Sequence, residues 1–222
     1  MGFNIAIDGP AGAGKSTIAK RVSRELGFIY VDTGAMYRAI AVYMLENNVD
    51  IHDSEAIKEA CQEISVNIRY ENGEQQVYLN GRNVTGLLRT EEVSLTASVT
   101  SANPHVRAAL LDLQRELAAN EDVLMDGRDI GTHVLPNAEL KIYLTASVQT
   151  RAKRRFLEMQ EKGEPCSLEE IAADIEERDA RDMSREIAPL KKAEDAILVD
   201  SSDMTIDEVV EKIKGLYGEI RG

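Results

Sequence analysis

The sequence predicts an α/β fold of three layers, with a parallel central sheet between helices, and three observations carry that prediction. Short apolar runs of strand character alternate along the chain with stretches whose apolar residues recur at helical spacing. One strand-to-helix junction, from Phe3-Asn4-Ile5-Ala6-Ile7 into residues 17–26, is filled by Gly9-Pro10-Ala11-Gly12-Ala13-Gly14-Lys15-Ser16, which fits the pattern Gly-x-x-x-x-Gly-Lys-Ser. A later apolar run, Val123-Leu124-Met125, ends in Asp126. Strands joined by helical crossovers run parallel by the right-handed crossover rule.

The glycine-rich junction has a definite chemistry. Its glycines let the backbone turn tightly and bring N–H groups against phosphate oxygens, while the positive end of the following helix points at the same anion. Gly9, Pro10, Ala11, Gly12, Ala13, Gly14, Lys15, Ser16 and Thr17 are therefore the candidate cradle for a triphosphate. Lys15 is expected to reach the β and γ phosphates, and the Ser16 hydroxyl to ligate Mg²⁺, with Asp126 as its acidic partner, directly or through water. The plainer alternative is a glycine turn that binds nothing; the strand before and helix after argue against it.

Composition narrows the classes. At 222 residues and 43% hydrophobic content the chain suggests one compact domain with ample core and room for an insertion. Twenty-six basic against thirty-nine acidic side chains leave a net charge of -13, which argues against nonspecific binding to a nucleic acid polymer or an anionic membrane. Any cationic site must be local. Cys61 and Cys166 lack metal-ligand spacing and read as buried or idle thiols, with a disulfide between them as the alternative; no charged-then-apolar leader opens the chain, and no apolar run is long enough to span a bilayer. A cytoplasmic setting and a monomer are expected.

Taken in order, Ile18, Val22 and Leu26 form the apolar stripe of the first helix, which stops at Gly27. Residues 28–31 read as a second short strand leading into Asp32-Thr33-Gly34-Ala35-Met36-Tyr37-Arg38, so Tyr37 and Arg38 open a helix at the ligand edge of the sheet. A helix over 56–64 then gives way to alternating Val66, Ile68, Tyr70 and Val77, Leu79 around Asn72-Gly73, a strong hairpin signal. Asn80-Gly81 suggests a third short strand near 82–84. This antiparallel element, about 64–84, reads as an insertion within a region spanning 34–105. Helices follow over 91–98 and 106–117, the latter with Leu110, Leu113 and Leu117 inward.

Beyond the strand ending at Asp126, Arg128 and Asp129 leave the strand tip together; an internal salt bridge between them is the bland reading. Residues 139–144 are the next strand, 196–199 the last, and 206–217 the closing helix. Between them Arg151, Arg154 and Arg155, then Arg178, Arg181 and Arg185, fall three and four apart, each set on one helix face. Interleaved acids could make these ordinary surface pairs. Phosphoryl transfer, however, needs fixed cations, and guanidinium groups grip phosphate with a rigid fork. The turn Glu161-Lys162-Gly163-Glu164-Pro165 suits a mobile lid over about 151–166.

Four stretches carry a resemblance: Ile7-Asp8-Gly9-Pro10-Ala11-Gly12-Ala13-Gly14-Lys15-Ser16, Asp32-Thr33-Gly34-Ala35-Met36-Tyr37-Arg38, Asp126-Gly127-Arg128-Asp129-Ile130-Gly131-Thr132 and Glu177-Arg178-Asp179-Ala180-Arg181-Asp182. Nearly end to end, the chain resembles the bacterial cytidylate kinases of the nucleoside monophosphate kinase group. The resemblance implies a P-loop kinase fold and transfer of the γ-phosphate of ATP to CMP or dCMP, with Mg²⁺. It implies that Arg38, Arg128 and Arg185 hold the acceptor phosphate, Arg178 and Asp182 its ribose, and Ser98, Arg107 and Asp129 its base. Thr33 and Tyr37 belong to the same expected acceptor site, and Lys15, Arg128 and Arg185 are the expected catalytic cations.

Elementary chemistry is consistent with those roles. Cytosine offers an exocyclic amino donor beside ring acceptors, so Asp129 can accept from it while Arg107 donates. Uracil would set O4 against the carboxylate, an unpaired contact costing about 1–3 kcal/mol. A phosphate acceptor is already anionic at neutral pH, so no general base is required of His52, His105 or His133. Other readings are a kinase for UMP, AMP or a hydroxyl metabolite, or a guanine-nucleotide switch, for which the chain lacks an Asn-Lys-x-Asp motif.

Overall fold

A computed structural model describes residues 2–222. In chain order the elements are β1 (Asn4–Asp8), α1 (Lys15–Leu26), β2 (Ile29–Asp32), α2 (Thr33–Glu46), α3 (Ser54–Gln62), β3 (Val66–Glu71), β4 (Glu74–Leu79), β5 (Arg82–Asn83), α4 (Glu91–Thr100), α5 (Pro104–Ala119), β6 (Val123–Gly127), β7 (Leu140–Thr145), α6 (Val148–Glu161), α7 (Leu168–Met183), β8 (Ile197–Asp200) and α8 (Ile206–Arg221). A single wide turn of π type, Ile130–Val134, follows β6. Among the described residues no helix is long and apolar enough to cross a membrane, and both cysteines are free thiols.

The chain divides into two compact units. The first holds residues up to Tyr30 together with Glu121–Gly222, and the second is Val31–Asn120. The central sheet has the order β2-β6-β1-β7-β8, and β1 pairs in parallel with both β6 and β7. Ile5, Ile7, Leu124, Ile142 and Leu144 are fully or almost fully buried, as expected of parallel strands covered on both faces. Helices α1 and α8 close one side, where Phe3, Phe28 and Tyr217 meet edge to face at centroid distances of 5.0–6.1 Å. In register, Asp8 at the end of β1 lies opposite Gly127 and Tyr143.

The second unit packs α2, α4 and the hairpin over a small core of Ala39, Val42, Val77, Leu79 and Val93. The hairpin is antiparallel, with Val66 opposite Leu79 and Glu71 opposite Glu74, and Asn72 and Gly73 at its tip both take positive φ. β5 adds a short third strand to β4.

Three sequence expectations change. Helix α2 starts at Thr33, capped by Asp32, so Tyr37 and Arg38 sit in its second turn rather than opening it. The buried face of α5 is Val106, Arg107, Leu110, Gln114 and Ala118, with Leu113 and Leu117 only half-buried. Periodicity counts leucines and so misses a face that buries two polar side chains. Arg185 lies past the end of α7, so Arg178, Arg181 and Arg185 do not share one helix face. Over the stretch expected to form a lid, α6 continues to Glu161 and a turn leads to Ser167.

Candidate functional site

Within the first unit the phosphate loop runs from β1 into α1. Gly9 has φ +152°, and a Cβ there would stand 1.9 Å from the Leu144 carbonyl oxygen, so the first glycine is demanded by close passage over β7. Gly12 and Gly14 take φ +73° and +84°, the left-handed conformations that point successive N–H groups to one side. Lys15 is buried, and its Nζ donates to the carbonyls of Gly9 and Pro10, both at 2.8 Å. Its pKa is held well below the lysine range, first by burial and then by the nearby Arg128. An anion in the loop would reverse that effect.

Ser16 and Asp126, 110 residues apart, meet: Ser16 Oγ donates to Asp126 Oδ2 at 3.0 Å. Tyr30 OH donates to Oδ1 at 2.9 Å and fixes the carboxylate from the other side. One hydroxyl and one carboxylate are hard oxygen donors, and a pair so sparse suits Mg²⁺, which keeps water and phosphate oxygens around it.

Arg128 does not pair with Asp129. Its Nε donates to Asp182 Oδ2 at 2.8 Å, and Arg185 donates to the other oxygen of the same carboxylate. Burial alone would raise the Asp182 pKa, but Arg128 and Arg185 beside it outweigh that and hold it below the usual carboxylate range. One buried carboxylate thus aims two guanidinium groups. Arg178 lies close enough to be felt by both Lys15 and Asp182. Arg181 instead pairs with exposed Glu177, the ordinary surface pairing that the sequence also allowed.

Asp8, Tyr30 and Asp179 received no site role from the sequence, and Arg151 only a general one among the spaced arginines. Arg151, 4% exposed, donates from Nη1 to the Ala11 carbonyl at 2.8 Å, from Nε to the Ala146 carbonyl at 2.9 Å, and pairs with Asp179 at 2.6 Å. It thereby ties α6 and α7 to the phosphate loop. Arg154 reaches the Ser201 carbonyl at 2.7 Å. Beside the loop a cavity of about 440 Å³ is lined by Gly12, Thr17, Arg151, Arg155, Met204 and Thr205, among others. The arginine spacing was visible in sequence, but which of the arginines turns inward depends on its partners.

The second unit carries Thr33, Tyr37, Arg38, Ser98 and Arg107. Asp32 accepts from Ala35 N and from Arg38 Nη2, both at 2.9 Å, so one side chain caps α2 and holds the arginine one turn on. Gly34 leaves the room: a Cβ there would come within 3.1 Å of both Arg38 Nη1 and Asp32 Oδ1. Gln75 from the hairpin accepts from Asp32 N at 2.8 Å and donates to its carbonyl at 3.1 Å, so the insertion braces the start of α2. The Arg107 guanidinium lies 5.6 Å from the Tyr37 ring centroid and donates to the Ser101 carbonyl at 3.2 Å. Thr33, Ser98 and Arg107 are all buried.

Comparison with known proteins gives a consistent result. Residues 5–218 match the family model described as cytidylate kinase. A cytidylate kinase of Caldicellulosiruptor bescii is 51% identical over 218 residues, covering 98% of this chain and 96% of the relative. One from Lactobacillus johnsonii is 54% identical over 211 residues, covering 95% and 92%. Among solved structures, a shikimate kinase from Bacteroides thetaiotaomicron superposes with a TM-score of 0.48 at 14% identity, covering 97% and 98% of the two chains.

Proposed function

Because the chain belongs to the cytidylate kinase family, we propose that it transfers the γ-phosphate of ATP to CMP or dCMP, giving ADP and CDP or dCDP. The observation that carries this reading is the pairing of a phosphate loop with a second, separate set of fixed arginines, Arg128 and Arg185, organised by Asp182. A hydrolase or switch has only the one nucleotide anion to hold. A kinase whose acceptor is itself a phosphate needs cations for both anions.

The donor triphosphate lies on residues 9–17, and its base and ribose occupy the cavity that opens beside Gly12 and Thr17. Mg²⁺ is held by Ser16 and Asp126 and, when bound, neutralises phosphate charge. Lys15 leaves the Gly9 and Pro10 carbonyls for the phosphates, a compensated exchange of hydrogen bonds for a buried ammonium. Arg38, Arg128 and Arg185 bind the acceptor phosphate; Nε of Arg38 is buried with no hydrogen-bond partner among the described residues, a donor that an anion would satisfy. Arg178 and Asp182 bind the ribose, and Ser98, Arg107 and Asp129 the base. Thr33 and Tyr37 complete that side, Tyr37 by backing the Arg107 guanidinium. No side chain has to remove a proton, since the attacking phosphate oxygen is already ionised at neutral pH. Alignment and charge neutralisation do the catalysis, in a cytoplasmic, reducing setting.

A coupled assay of ADP release tests the reading. Release should rise with CMP and far less with UMP or AMP. Lys15→Ala should lower kcat with every acceptor by roughly a hundredfold or more, whereas Asp129→Ala should mainly raise the CMP KM. ADP release indifferent to CMP, or equal small losses in both variants, would refute it.

A further inference from the structure

Asp8 is a buried carboxylate, 5% exposed, at the last position of β1, immediately before the phosphate loop. Its two oxygens accept from Ile130 N at 2.8 Å and Gly131 N at 2.7 Å. Those are the first two amides of the wide turn Ile130–Val134, donors that a helical start leaves without a partner of its own. Such donors ordinarily go to the side chain of the capping residue, and Asp is among the best caps. Here the capping position is held by Asp129, yet Asp129 makes no capping bond. The duty has passed to a carboxylate 122 residues away.

We propose that Asp8 is a positioning residue for acceptor recognition: by capping the Ile130–Val134 turn in place of Asp129, it directs the Asp129 carboxylate to the acceptor base and fixes Arg128 beside it. This rests on the assignment of Arg128 and Asp129 to the acceptor made above. Only an ionised carboxylate presents acceptor oxygens to both amides; an asparagine would turn an N–H donor against one of them. The neighbouring glycine serves the same contact. A Cβ on Gly131 would come 3.1 Å from Lys141 Cδ and 3.4 Å from Asp8 Oδ2, and Lys141 cannot easily yield, since its Nζ is anchored to the Pro136 carbonyl and Asp195. The charged and titratable groups facing Asp8 are Lys15, Asp129 and Tyr143, with the Lys141 stem beside Gly131. Burial raises the Asp8 pKa to about 6 despite the two amide bonds. The cap therefore weakens in mild acid.

The test is steady-state kinetics on the full chain with ATP as donor and CMP or UMP as acceptor, for the native protein, Asp8→Asn, Gly131→Ala and Asp129→Ala. Asp8→Asn should raise the CMP KM roughly tenfold and shrink the preference for CMP over UMP by a similar factor, while the ATP KM stays within about twofold. The ratio of CMP KM, native over Asp8→Asn, should climb as pH falls through about 6, because the native protein loses there what the variant already lacks; titration of the CMP phosphate is common to both and cancels. Gly131→Ala, which leaves the carboxylate in place, should show the same split in weaker form and decides the matter if Asp8→Asn does not fold. A native CMP KM and preference in Asp8→Asn, ATP and CMP KM values rising together, or a flat ratio would each overturn the proposal. An unaltered CMP KM in Asp129→Ala would bring down the acceptor assignment beneath it. An impaired Asp129→Ala beside a native-like Asp8→Asn would overturn this inference alone.

Discussion

Asp8 and Asp182 are both buried carboxylates, and burial pushes both pKa values upward; they part because only Asp182 has guanidinium groups against it. The consequences for stability run in opposite directions. Asp8, raised from 3.8 to about 6, contributes stability that is fully present below the unfolded pKa and is lost as pH rises through about 6. Across that span the stability of the native protein relative to Asp8→Asn should fall by on the order of 2–3 kcal/mol, read by urea unfolding at several pH values. A difference that grows with pH would contradict the burial argument. Asp182 is depressed, so its contribution is present above the ordinary carboxylate range and lost as pH falls below it. Replacing it with Asn leaves Arg128 and Arg185 short of their shared counter-charge, and urea unfolding at neutral pH should show a loss of about 3 kcal/mol. At this scale the pairing of Ser16 with Asp126 was legible in the sequence because a motif names both, and the two side chains meet in the fold. Asp8 and Tyr30 escaped because a single polar group on a short strand has no periodicity to betray it; the role of Asp8 is defined by amides, and that of Tyr30 by a carboxylate, more than ninety residues away.

Helices and strands were legible wherever burial matched hydrophobicity. β1, β6 and β7 are apolar runs because both faces are covered, and α8 carries a complete capping box, with Thr205 and Glu208 each accepting from the other's backbone amide. Helix α5 shows the limit. Leu110 is 1% exposed while Leu113 is half-buried, so Leu110→Ala should cost about 2–5 kcal/mol and Leu113→Ala less than half as much. Thermal or urea unfolding checks both; equal losses would restore the leucine stripe. Gly9→Ala should be worse than either, at least about 3 kcal/mol, since no rotation of a methyl relieves a 1.9 Å approach to backbone oxygen. Arginine spacing was likewise visible, but spacing on a helix cannot tell Arg151, which enters the fold to meet Ala11 and Asp179, from Arg155, which pairs at the surface with Glu158.

For the molecule as a whole, a net charge of -13 surrounds a cluster of Lys15, Arg128, Arg178 and Arg185, so the anion binding proposed above is a local property and not one of composition. Binding should then register as stability. Mg²⁺ with a non-hydrolysable ATP analogue at a hundred times its Kd adds about 2.7 kcal/mol to the native state, a rise of several degrees in Tm. Lys15→Ala should show little of that rise; an equal rise would mean that the loop is not where the phosphates sit. What the sequence determined alone is whatever local chemistry specifies: alternating elements from the period of apolar residues, the phosphate loop from its glycines and lysine, and the hairpin from Asn72-Gly73. Tertiary structure decided the partnerships: Ser16 with Asp126, Arg128 and Arg185 with Asp182, Arg151 with Ala11, and Asp8 with the turn that Asp129 opens. The reason is physical. A hydrogen bond or ion pair reaches only about 3 Å, and only folding brings residues far apart in the chain within that distance.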